Sequence, residues 1–308
     1  MSTNGSDQKI RELGTSPASQ LLLAQELLGV ARYDEAIEQV HLALWSNPEL
    51  VDAHLLLGLI RIRQGQLEEA TDALDTCTRL DASSERGWIA LGFAYFEMNR
   101  LNQSLTAYSH ALQLDPQNVA AFLLRGDTYR SMERLDDAAQ DYEKAVRLNP
   151  HLFAARCKLG DVYRRQGRID AASLLLGTTL ALNPADCASL TALGEIYLQT
   201  DRLDEAIVQF RHAADADRRS DIPQLRLGQA YHRKNDINEA VASLKIAIRL
   251  NNKCVDAFVE MGRIYAERAQ NDLATEMFQA AIEIDPRFPL PQTLLTEVRE
   301  HVAPQSSK

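Results

Sequence analysis

The chain has 308 residues, 45% of them hydrophobic and 25% charged, and a formal net charge of −10. That acidity argues against a general nucleic-acid or anionic-membrane binder. The four cysteines, Cys77, Cys157, Cys187 and Cys254, form no CxxC and have no nearby His pair, which argues against a zinc site or a disulfide framework and fits a reducing compartment; we expect a soluble, cytoplasmic protein.

In chain order, residues 1–16 are polar and lack the apolar core of a signal peptide, so we expect a disordered N-terminal segment. From residue 17 a single interval governs the chain. Gly58, Gly92, Gly126, Gly160, Gly194, Gly228 and Gly262 follow one another at 34 residues without insertion or deletion. Setting each glycine at position 8 of its unit gives eight units, 17–50, 51–84, 85–118, 119–152, 153–186, 187–220, 221–254 and 255–288. Ala24 takes the glycine slot of the first unit. A unit this short cannot bury its own apolar face and must stack on copies of itself, so we expect one elongated array rather than separate globular domains.

Within a unit the spacing is helical. Positions 4, 7, 8 and 11 share one face of a first helix, and positions 20, 24, 27 and 28 share one face of a second. Glycine at position 8 and alanine at position 20 are expected to be small where the two helices cross. Breakers such as Gly65-Gln66, Asn99-Arg100, Gly167-Arg168, Asp201-Arg202 and Asn235-Asp236 separate the helices. Proline at position 32 (Pro48, Pro116, Pro150, Pro184, Pro286) ends the second helix. Pro223 falls in the first turn of its helix, where proline is tolerated. The stretch 174–182, LLLGTTLAL, is too short to span a bilayer. Pro289 and Pro291 then open a last helix, 289–302, whose stripe of Leu290, Leu294, Val298 and Val302 is expected to cover the open end of the last unit. The tail 303–308 is expected to be disordered.

These positions carry a family pattern. Unit 85–118 has Trp88, Leu91, Gly92, Tyr95, Tyr108, Ala111 and Pro116, and the chain therefore resembles the tetratricopeptide repeat (TPR) proteins. The resemblance covers residues 17–288. It implies an all-α right-handed α-solenoid of helix-turn-helix repeats with a C-terminal capping helix. It also implies that stacked first helices line a concave groove where peptides bind. Arg61 and Leu27 stand where Tyr is usual, Arg125 replaces Leu at position 7, and Arg218 and Asn252 replace proline at position 32; these departures bear on local packing. The carboxylate clamp of some TPR co-chaperones is absent, because no unit has Asn at position 9 or Lys at position 5.

No catalytic constellation, P-loop or metal-ligand spacing among the histidines stands out, so we expect neither an enzyme nor a cofactor nor a metal. The first-helix positions turned away from the intra-unit face are 2, 6, 9 and 13, flanked by 5 and 12. In the first three units they include Leu55, Leu59, Ile62, Ile89, Phe93 and Phe96. Over units four to seven they hold six cations, Arg130, Lys158, Arg164, Arg165, Arg226 and Arg233, against three anions, Asp127, Asp161 and Glu195. One reading is solvated charge, with Asp127–Arg130 and Asp161–Arg164 or Asp161–Arg165 paired along single helices; for the Leu and Phe cluster the corresponding reading is packing between adjacent units. The other reading is a partner-binding groove for a protein or peptide with acidic and apolar residues. The expected function is accordingly a non-catalytic scaffold or adaptor. The alternatives are a self-assembling homo-oligomer and an accessory subunit that presents substrates to a separate enzyme.

Overall fold

The computed structural model describes residues 16–302. The described residues form seventeen helices and no strand. The chain divides into two compact units at His151 and Leu152. The first contains α1 (Pro17–Gly29), α2 (Tyr33–Ser46), α3 (Val51–Gln64), α4 (Leu67–Leu80), α5 (Glu85–Glu97), α6 (Leu101–Leu114), α7 (Val119–Ser131) and α8 (Leu135–Leu148). The second contains α9 (Phe153–Arg165), α10 (Ile169–Leu182), α11 (Cys187–Gln199), α12 (Leu203–Ala216), α13 (Ile222–Arg233), α14 (Ile237–Leu250), α15 (Val255–Glu267), α16 (Asn271–Ile284) and α17 (Pro289–Val302). The segments 1–15 and 303–308, expected to be disordered, lie outside the described residues. Ser16 is the N-cap of α1, its hydroxyl accepting the Ser19 N–H at 3.2 Å.

Each helix pair closes in the same way. Position 15 of all eight repeats has a positive φ, between 56° and 76°. The position 16 N–H then reaches back to the position 11 carbonyl, as from Arg100 to Tyr95 (2.8 Å) and from Arg168 to Tyr163 (2.8 Å). This is the Schellman closure of a helix C-terminus. Gly65 and Gly167 adopt the left-handed conformation without strain, whereas Ala31, Glu133 and Ala269 occupy it with a Cβ and give no turn signal in the sequence. The second helices end on a residue that the proline argument passed over. Position 31 is Asn or Asp in every repeat, from Asn47 to Asp285. In seven of the eight repeats, Asn183 being the exception, its side-chain oxygen accepts the backbone N–H two residues on, as Asp81 does from Ser83 (2.9 Å) and Asn251 from Lys253 (3.0 Å). The Asx turn therefore stops α12 and α14 where Arg218 and Asn252 replace the proline.

Two features of the core refine the reading of the helix faces. The space left by each position 8 glycine is filled by the position 24 side chain of the same repeat, and at Gly228 the position 20 backbone also comes close, the Ala240 carbonyl lying 3.4 Å from an added Cβ. A Cβ at Gly58 would lie 2.4 Å from Leu74, and at Gly126 2.7 Å from Tyr142. The first repeat, with Ala24 at position 8, carries the smallest partner, Val40, and both are fully buried. The tyrosines at position 11 are half-buried rather than wedged into the core, Tyr231 excepted. Three of them are covered by the position 16 arginine of the next turn, with Arg168 3.9 Å, Arg202 4.3 Å and Arg134 4.6 Å from the ring centroids. The buried inter-repeat positions are 3 and 10. Ala53 and Ile60 pack with Ala36, Val40 and Ala43 of the preceding repeat. Val162, Ile196 and Ile264 occupy the equivalent buried position 10.

Arg125, at the position usually held by Leu, has a partner. Its guanidinium donates twice to Asp141, both bonds 2.8 Å, and once to the Ser109 hydroxyl. In α17 the covering face is Pro291, Leu295 and Val298, with Leu290 and Leu294 half-buried. It packs on Ala274 and Phe278. The side chain of Val302 lies outside the described residues.

Candidate functional site

In the first compact unit the first helices α3, α5 and α7 line a cavity of about 690 Å³. Five of the six apolar residues expected on this face meet there: Leu55, Leu59, Ile62, Ile89 and Phe93. They meet because positions 5, 9 and 12 repeat on one side of consecutive first helices, away from the glycine face that packs on the second helices. Leu55, 5% exposed, belongs to the core cluster beneath and forms the floor. Leu59, Ile62, Ile89 and Phe93 are half-buried and form the walls. Leu124 of α7 closes one end. Phe96, also half-buried, is not among the lining residues.

Two arginines missed in the sequence reading stand on the rim. Arg63 of α3 and Arg86 of α5 line the cavity, are exposed, and have no ion-pair partner among the described residues. They occupy positions 13 and 2 of the outward face, where the apolar residues of the first three repeats dominate the pattern. Glu97 is the acidic lining residue. Arg86 also borders a second cavity, of about 590 Å³, against Leu21 and Leu22 of α1.

The expected charges are engaged with one another. In the first unit Asp127 accepts the Tyr142 hydroxyl at 2.6 Å and lies 3.7 Å from Arg130. Burial, with the Asp127 charge beside it, holds the Tyr142 phenol well above its usual range. In the second unit Arg164, Arg165, Arg226 and Arg233 come together around a shallow cavity of about 410 Å³. Lys158 is not among its lining residues. Arg164 pairs with Asp161 at 2.6 Å on its own helix. Arg226 pairs with Glu195 at 2.8 Å and Arg233 with Asp201 at 2.8 Å, both across repeats. Asp161 and Glu195 already stood in the sequence count, so Asp201 is the one anion these pairs add to it.

The remaining reactive groups are quiet. Burial pushes the Cys157 thiol up to about 12, and burial also raises Cys77, Cys187 and Cys254, so none is a ready thiolate nucleophile at neutral pH. Among the described residues no group of His, Cys, Asp and Glu is arranged to hold a metal ion, and no helix is long and apolar enough to cross a membrane.

Comparison with known proteins agrees with the geometry. A family model described as tetratricopeptide repeat matches residues 21–85, 157–221 and 225–287, and one described as TPR repeat matches 92–130 and 126–167. No curated protein matches the chain. Among solved structures it is similar to a chain of the APC/C hetero-tetramer Cut9–Hcn1, with a TM-score of 0.62 and 21% identity over 96% of this chain and 58% of that one. This chain thus spans less than two thirds of that protein's chain. It is also similar to a tetratricopeptide repeat protein from Parabacteroides merdae, with a TM-score of 0.70 and 17% identity over 81% and 98% of the two chains. The MamA protein matches at a TM-score of 0.50 and 24% identity over 54% and 90%. At these identities the likeness concerns the fold. Five matched stretches, running through both compact units, place the chain in one family: it belongs to the tetratricopeptide repeat proteins.

Proposed function

We propose that the chain is a non-catalytic scaffold or adaptor, and that the α3–α5–α7 cavity seats an apolar anchor of a protein partner whose flanking residues are acidic. Tetratricopeptide repeats generally mediate protein–protein interaction or scaffolding, which supports the broad class. The observation that carries the finer reading is the pairing of an apolar cavity with two unengaged arginines on its rim. A buried apolar anchor supplies most of the affinity in such a site, and rim charge sets orientation and encounter rate. Elsewhere on the outward first-helix face the described cations Arg164, Arg226 and Arg233 already have carboxylate partners, so an incoming acidic residue there must displace one.

The test is a fluorescence titration of the full chain with synthetic peptides that carry Leu and Phe anchors between Asp and Glu. The acidic apolar peptide binds the native chain, and Leu59→Asp with Phe93→Asp reduces affinity at least tenfold. Binding untouched by the two substitutions would move the site off this groove.

A further inference from the structure

We propose that residues 10–13 of the chain itself, Ile-Arg-Glu-Leu, seat in two adjoining apolar cavities of the groove and hold it until an acidic partner displaces them. This regulation rests on the reading of the α3–α5–α7 cavity as an anchor site.

The cavity of about 590 Å³ against α1 supplies the second seat. Its apolar lining is Pro17, Ala18, Leu21, Leu22 and Leu50, with Leu22 49% exposed. Arg86 lines both cavities, so the two meet at the first turn of α5 and share one cation. An occupant of both therefore has two apolar side chains with a carboxylate between them. First helices of neighbouring repeats lie about 8–10 Å apart, a gap that about three extended residues span.

The chain carries that pattern beside the cavity. Residues 1–15 enter the described structure at Ser16, and Ser16 itself lines the second cavity. Its backbone is extended (φ −81°, ψ 148°), as the proline that follows favours. Leu13 stands three residues before Ser16 and Ile10 three before Leu13, each step about 10 Å of extended chain. Leu13 thus reaches the second cavity and Ile10 the α3–α5–α7 cavity. In a polyproline II backbone, side chains three residues apart point the same way, so both anchors face the groove. Glu12 falls between them, at Arg86. The other charges agree. Asp52 borders the second cavity and Glu97 the first, both exposed, and the segment's cations are Arg11 and Lys9.

Tethering raises the local concentration of the segment to about the millimolar range, so a match of modest intrinsic affinity occupies the groove. Residues 9–13 offer one carboxylate and leave Arg63 without a counterpart. A partner with acidic residues on both sides of its anchor engages Arg63 and Arg86 together and displaces the segment.

The experiment has two arms, both on the full chain. In the first, Ile10→Cys is combined with Leu59→Cys or with Trp45→Cys, the latter at a 90% exposed residue of α2, and oxidised glutathione is added with the native chain as background. The Leu59→Cys pair closes an intrachain disulfide at least tenfold faster than the Trp45→Cys pair. Equal rates overturn the proposal, and a link between two chains overturns it in favour of a second copy's segment. In the second arm the acidic apolar peptide is titrated into the native chain and an Ile10→Asp, Leu13→Asp chain, and it binds the variant at least tenfold more tightly. Equal affinity for the two chains overturns the proposal and leaves the anchor site standing. A peptide that binds neither overturns the anchor site, and the disulfide arm still decides where the segment sits.

Discussion

Two residue pairs show how substitutions in one helix are absorbed in the next. Gly58 leaves room for Leu74, whose nearest carbon would lie 2.4 Å from an added Cβ. The first repeat solves the same junction with Ala24 and Val40, both fully buried. Gly58→Ala is therefore expected to destabilise by about 1–3 kcal/mol through overpacking, and Leu74→Val in the same chain to recover most of the loss, as read from urea midpoints. Additive losses would show that the junction is not a volume exchange. Arg125 and Asp141 form the second pair. The Asp141 side chain is 7% exposed and that of Arg125 20%. Arg125→Leu restores the common residue of the pattern yet leaves a buried carboxylate without its cation, at a cost of about 3–5 kcal/mol. Adding Asp141→Leu removes the stranded charge, and the melting temperature of the double variant is expected to return to near the native value. A single Arg125→Leu chain as stable as the native protein would contradict this account of the departure.

At the scale of helices, His232 joins α13 to α15. Its Nδ1 lies 2.7 Å from Glu260 and its Nε2 2.8 Å from Glu267, while Arg263 lies 3.7 Å from Glu260. Burial alone pulls the His232 pKa down; hydrogen bonds and charge from the two carboxylates more than offset it, so the folded value stands above the ordinary 6.5. A folded pKa above the unfolded one gives stability that is fully present below the unfolded value and is lost as pH rises through the folded one. The stability that His232 contributes is thus expected to be fully present below its ordinary value of 6.5 and to be lost as pH rises through the raised folded one, and His232→Gln to flatten that slope. Denaturant midpoints across the series measure it, and an unchanged slope in the variant would exclude the contact. The helix ends follow a different logic. Gly65, Asn99, Gly167, Asp201 and Asn235 announce their turns because their residue types suit a positive φ. Ala31, Glu133 and Ala269 take the same conformation only because the stacked repeats impose it.

Over the whole molecule, the repeat was legible because eight units obey one pattern, so a substitution such as Arg125 or Asn252 is outvoted by its neighbours. The apolar part of the groove was legible for the same reason: Leu59 and Phe93 are large and apolar at a position that faces away from the glycine junction. The charges were not. Arg226 finds Glu195 and Arg233 finds Asp201 across 31 and 32 residues of sequence, beyond the reach of any within-helix spacing rule. Only the Asp127–Arg130 and Asp161–Arg164 pairs could be seen from i,i+3 spacing. Arg63 and Arg86 acquire meaning from the carboxylates they lack, and that is decided by the fold rather than by spacing along the chain. In the function we propose, this groove selects its partner by an apolar anchor beside acidic residues. The most direct measurement is a competition titration between two peptides with the same Leu and Phe anchors, one flanked by Asp and Glu and the other by Lys, against the native chain and an Arg63→Glu, Arg86→Glu chain at low salt. The native chain is expected to prefer the acidic peptide and the variant the basic one, since opposing charge at a rim governs orientation and on-rate. An unaltered preference after both reversals would contradict the claim.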